Sequence, residues 1–235
     1  MINKIILPSS TEEGQPRISY SQITSWNEEK AFNKAMVRGK LTEVPGKVGY
    51  ILDKFLKYDF PPTAMDAFAP FGEKCENAIC NQDFTGFDET ETAILKTITP
   101  IGVFQHELNI DFGDFSLVGY IDDKNEDSSW LRDYKTCSKS TASRYEKDNY
   151  FQLDIYAMDE YFKSGRLPEK MEVVRIGRKG SPFKGEDLKV DCLFPTVYRT
   201  TSISRLQKVE EYIRKTVQEI SDTYKIYLEI FENKK

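Results

Sequence analysis

Two acids and an amine in this chain stand at a spacing that could do chemistry. Gly119-Tyr120-Ile121-Asp122 closes a segment with strand periodicity, and eleven residues after Asp122 comes Asp133-Tyr134-Lys135. Side chains of a strand alternate faces, so Asp133 and Lys135 point one way and Tyr134 the other. A tight connection between the two segments brings Asp122 beside them. Such a set suits phosphodiester hydrolysis, in which a divalent metal places water in line with the leaving oxygen and neutralises charge on the phosphoryl group. Hard Mg²⁺ or Mn²⁺ needs only a few carboxylates and carbonyls from the protein. A lysine beside them stabilises the developing oxyanion or holds the attacking hydroxide. Gln152 and Tyr156, four apart, present an amide and a phenol on one face of a predicted helix, groups suited to a DNA backbone or base edge.

The elements that must position these groups follow from periodicity and turn chemistry. Ser and Thr caps within 19–26 start a helix through about Val37, which Gly39 closes. Pro45-Gly46 opens a second, in which Val48, Ile51, Leu52, Phe55 and Leu56 form a buried stripe. Residues 60–92, with Pro61-Pro62 and Pro70, predict short helices and a helical insertion. Strands follow at 103–112 and 115–121 around a turn containing Gly113, and a third at 130–136 after a polar turn. A helix over 145–162, with Phe151, Ile155, Met158 and Phe162 on one side, ends at Gly165 and Pro168. Strands at 171–176 and 188–198 precede a last helix at 202–231. This order predicts a mixed α/β fold, a central mixed sheet with helices on its faces.

With 235 residues and 39% apolar content, the chain is expected to form one domain over residues 1–235. No run reaches the roughly 18 to 20 apolar residues that a membrane span needs, and the segment 1–8 is too short for a secretory signal. The expectation is a cytoplasmic protein with no membrane partner. Cys75, Cys80, Cys137 and Cys192 are scattered and read as free thiols. Net charge is −5, yet it is segregated: residues 1–122 carry 11 basic against 18 acidic side chains, and residues 123–235 carry 22 against 20. The stretch 175–215 holds ten basic residues against five acidic ones and could face phosphates. Residues 122–127 superficially suggest a calcium loop. Ser128 stands where that loop needs glycine, and Tyr134 where it needs a bidentate acid.

A lone Asp-x-Lys carries little weight, because surface strands often alternate such residues. Taken in order, Gly-x-x-Asp at 119–122, Asp-Tyr-Lys-Thr at 133–136 and Gln-x-x-x-Tyr at 152–156 resemble the RecB-like branch of the PD-(D/E)XK nuclease superfamily, over roughly residues 100–165. The resemblance implies a restriction-endonuclease-like core and a Mg²⁺- or Mn²⁺-dependent deoxyribonuclease, of the exonuclease or flap-processing kind. Its substrate would be DNA ends or single strands, in recombination, repair or phage DNA metabolism, with a recombination or replication protein as a further partner. On this resemblance Asp122, Asp133 and Lys135 are catalytic, and the two acids with the Tyr134 carbonyl bind metal. Glu107 matches an upstream acidic strand residue and joins the metal candidates. Gln152, Tyr156, Thr136, Lys139 and Arg144 are the DNA-binding candidates. Many members place a metal-binding His in the second helix after Gly-x-x-x; here Gly46-Lys47-Val48-Gly49-Tyr50 lacks it, and Asp53, one turn away, is the candidate substitute. His106, the sole histidine, reads as structural. No iron-sulphur cluster is expected, since Cys192 is the only cysteine after residue 137. The competing reading is a nuclease-fold module that binds nucleic acid or a protein partner with weak chemistry or none.

Overall fold

The computed structural model describes residues 4–7, 15–27 and 64–231. The predicted helix at 45–56, its Asp53, and the later part of the helix predicted through Val37 lie outside the described residues. Among the described residues seven strands form one mixed sheet: β1 (Arg17–Ser19), β2 (Val103–Asp111), β3 (Ser116–Lys124), β4 (Trp130–Cys137), β5 (Lys170–Lys179), β6 (Lys189–Leu193) and β7 (Val197–Arg199). The helices are α1 (Tyr20–Asn27), α2 (Phe68–Asn81), α3 (Glu89–Leu95), α4 (Gln152–Ser164) and α5 (Ile203–Phe231). The fold is mixed α/β. The pairs β1–β3 and β4–β5 are parallel, whereas β3–β4, β5–β6 and β5–β7 are antiparallel. Among the described residues no helix is long and apolar enough to cross a membrane.

The chain divides into two compact units. One comprises Met1–Pro61, Leu108–Gly119 and Leu206–Lys235. In it β1 pairs with the first residues of β3, Ile18 opposite Leu117. Ser19 caps α1 reciprocally: its Oγ accepts from the Gln22 amide, and its own amide donates to Gln22 Oε1. Along α5, Leu206, Val209, Ile213, Val217 and Ile220 are buried at helical spacing.

The other unit comprises Pro62–Glu107 and Tyr120–Arg205 and holds every described candidate site residue. Its strands β4 and β5 pair in register from Trp130 with Lys170 to Cys137 with Gly177. Phe71, Cys75 and Ile79 of α2, Leu95 of α3, and Tyr134, Val174, Ile176 and Val190 of the strands form one apolar cluster. Burying each of the larger side chains contributes about 1.5–3 kcal/mol. Tyr134 therefore faces α2, and strand alternation turns Asp133 to the opposite face, towards α4.

Several elements differ from the sequence expectation. The predicted strand at 188–198 is two, because Pro195 lies between β6 and β7 and has no N–H to donate to a ladder. The helix predicted over 145–162 begins only at Gln152; a 3-10 turn, Ala142–Glu146, precedes it. Strand β3 runs on to Lys124, so Asp122 sits inside the strand rather than at its end. The region 60–92 contains the fourteen-residue helix α2, longer than the short helices expected.

Candidate active site

The antiparallel turn between β3 and β4 sets Asp122 next to Tyr134, whose amide donates to Asp122 Oδ2 at 2.9 Å. Asp133 and Lys135, two apart on the same strand face, meet at 2.5 Å from Nζ to Oδ1. The same ammonium donates to the Tyr134 carbonyl at 3.0 Å and lies 3.7 Å from Asp122 Oδ2. Thus two carboxylates and one backbone carbonyl gather around a single cationic centre. They are the three oxygens that the sequence resemblance assigns to a metal. A hard divalent ion bound by one or two carboxylates while keeping several waters matches this donor set. Among the described residues no three His, Cys, Asp or Glu side chains converge as a metal group.

The centre is held from behind by α4 and the residues leading into it. Tyr156, fully buried, donates to Asp122 Oδ1 at 2.9 Å, and Gln152 donates to the Tyr156 hydroxyl at 2.9 Å. Tyr150 donates to Asp133 Oδ2 at 2.6 Å. Burial raises the Asp133 carboxyl above the usual range against the pull of Lys135, and Asp122 adds to the rise. Burial opposes the Lys135 charge, but Asp133 and Asp122 outweigh it and hold the amine above its ordinary value. On the reverse face of the strands, Asp123 accepts from the Tyr134 hydroxyl at 2.8 Å, and Arg132 joins Glu172 to the same tyrosine. The strand pair bearing the acids is thereby fixed on both faces.

The remaining sequence candidates are placed less uniformly. Tyr156 is a buried donor to a carboxylate, not a surface contact for DNA, and Gln152 serves it. Thr136 is half-buried against α2, with its Oγ1 3.3 Å from where a Cβ on Gly72 would stand. Lys139 and Arg144 are exposed. Glu107 is exposed on β2 and forms no metal group with Asp122 and Asp133. His106 is half-buried, and burial followed by Lys124 lowers its pKa. All four cysteines are free thiols, and burial pushes Cys75 and Cys80 up to about 12. In the basic stretch 175–215, Arg175, Lys179, Lys189, Arg199, Arg205 and Arg214 all pair with acids, so much of its charge is already spent within the protein.

Two residues near the centre lay beyond sequence reasoning. Tyr150 reaches Asp133 from the irregular segment just ahead of α4, where the sequence predicts helix. Glu76 of α2 shares a cavity of about 290 Å³ with Tyr134, Lys135 and Thr136. Burial first, then Asp122, raises the Glu76 carboxyl to about 7, while its hydrogen bond from Gln105 lowers it. An acid at the helix position i+4 from Gly72, whose missing side chain admits Thr136, was the one available clue.

No family model and no curated protein matches the chain. Among solved structures, one named "Putative exonuclease" from Eubacterium rectale is 13% identical, with a TM-score of 0.39, over 88% of this chain and 82% of that one.

Proposed function

We propose that this protein is a metal-dependent nuclease that hydrolyses phosphodiester bonds of DNA, acting on ends or single strands in the cytoplasm. The observation that carries the reading is the convergence of Asp122, Asp133, the Tyr134 carbonyl and Lys135 within hydrogen-bond or ion-pair distance of one point. Asp122, Asp133 and the Tyr134 carbonyl would hold Mg²⁺ or Mn²⁺, which when bound activates water and neutralises phosphoryl charge. Lys135 supplies a proton-bearing cation to the oxyanion. Tyr156 and Tyr150 fix the carboxylates in orientation, so that little reorganisation is needed as charge develops. A partner acting in recombination or replication fits the same reading.

One observation favours a second reading, a nucleic-acid-binding module without efficient chemistry. Every oxygen of the two carboxylates already accepts from a protein donor or lies within ion-pair distance of Lys135. The purified protein, incubated with end-labelled linear and covalently closed circular DNA in Mg²⁺, Mn²⁺ or EDTA, separates the two. Metal-dependent loss of linear DNA alone is the expected result, with Asp133→Ala inactive but folded by circular dichroism. Cutting of both forms would make it an endonuclease. Retardation of DNA without cutting would establish the binding module.

A further inference from the structure

Phe183 lies in the 3-10 turn Pro182–Lys184 with 65% of its surface open to solvent. Its ring centroid is 6.3 Å from that of Phe68, at a 45° tilt. Phe68 in turn carries the Arg178 guanidinium, with Cζ 4.0 Å from the ring centroid. Arg178 Nε is buried and has no hydrogen-bond partner. Phe68 also walls the cavity of about 290 Å³ that contains Tyr134, Lys135 and Glu76. An exposed ring, a second ring backed by a cation, and a cavity running from that ring to the candidate active site are therefore contiguous.

The chemistry of these walls selects among the parts of a nucleotide. Glu73 and Glu76 line the cavity and repel phosphate, whereas the neutral face of a base has no such penalty. Aromatic rings bind bases by stacking irrespective of sequence, and a guanidinium adds a cation–π contribution. An unpaired base is free to turn its face to such rings, whereas bases within a duplex are already stacked on their neighbours. We propose that Phe68, Phe183 and Arg178 form a stacking platform for an unpaired nucleobase of a single-stranded end, next to Lys135. The proposal rests on the nuclease reading for its purpose but not for its binding measurement.

The test is fluorescence anisotropy of the full-length protein in EDTA, where no metal-dependent cleavage occurs. The probes are a fluorescein-labelled oligothymidylate, the same backbone with abasic sites, and a blunt duplex of equal length. The wild type should prefer oligothymidylate to the abasic strand by about tenfold, the scale of base–aromatic stacking. Phe183→Ala should bind both single strands alike, and Phe183→Trp should keep the preference. Phe162→Ala, which removes a ring exposed on α4, should leave it unchanged. Oligothymidylate binding that survives Phe183→Ala undiminished, a wild type indifferent to bases, or no binding at all would overturn the platform. Base-dependent binding without cleavage in Mn²⁺ would remove the nuclease reading alone. Cleavage with base-indifferent binding would remove the platform alone.

Discussion

Asp133 accepts hydrogen bonds from Lys135 and Tyr150, and more distantly from Tyr156 at 3.4 Å, while showing no surface to water. A buried carboxylate survives only with such compensation, and the cation provides its largest part. Lys135→Met should therefore cost up to about 3–5 kcal/mol in urea unfolding at alkaline pH, and less as the pH falls, because without its cation the buried Asp133 either stays charged beside Asp122 or takes up a proton. Saturating Mn²⁺ should return much of that loss, since an ion on the same oxygens replaces the missing positive charge and, at a hundred times its Kd, stabilises by about 2.7 kcal/mol. A Lys135→Met protein whose unfolding midpoint ignores Mn²⁺ would show that these oxygens do not bind metal. This measurement is independent of any cleavage assay.

At the scale of elements, the end of β3 is tied to α4 by Lys124 and Glu160, 2.6 Å apart and both buried. Burial pushes the Glu160 carboxyl up, but the hydrogen bonds from Lys124 and Ser128 and the charge of Lys124 prevail and leave it below its ordinary value of 4.5. A depressed folded-state value means the stabilisation is fully present above the unfolded value and disappears as pH falls through the folded one. Glu160→Gln should thus be less stable than wild type by about 3–5 kcal/mol at pH 7, and the gap should shrink as the medium is acidified below the ordinary glutamate range. A gap unchanged down to acidic pH, followed by thermal melts, would contradict this account. The strands carrying Asp122, Asp133 and Lys135 were legible because period-two alternation and a short polar turn are local properties. Tyr150 and Glu76 were not, since their role arises from long-range packing on β4. Tyr156 was misread for a related reason: its spacing from Gln152 marks a shared helix face but does not say whether water or a carboxylate lies opposite. The division of β6 from β7 was readable at Pro195, and the sequence reading passed over it.

For the molecule as a whole, a net charge of −5 must be reconciled with the polyanionic substrate proposed for it. The basic stretch 175–215 pairs six of its ten cations with acids. Few are left to release counterions from DNA. The share of single-strand binding that comes through this stretch should accordingly fall with salt at a log–log slope no steeper than about −3, given about −0.7 for each phosphate neutralised by its four other cations. Anisotropy titrations across a range of NaCl concentrations measure it directly; a much steeper slope would reveal a cationic surface that forms only on binding.

Strand β4 carries the acid and amine of the candidate site, Asp133 and Lys135, on its odd-numbered positions and an apolar-cluster tyrosine on the even position between them. Parity is therefore a hard constraint on descent: losing or gaining a single residue within β4 between Trp130 and Asp133 would exchange the two sets, driving charge into the apolar cluster and a phenol ring towards α4. Length in this stretch should drift only by pairs of residues, or by changes absorbed wholly in the loop before it, whereas the sequence of that loop is free to vary.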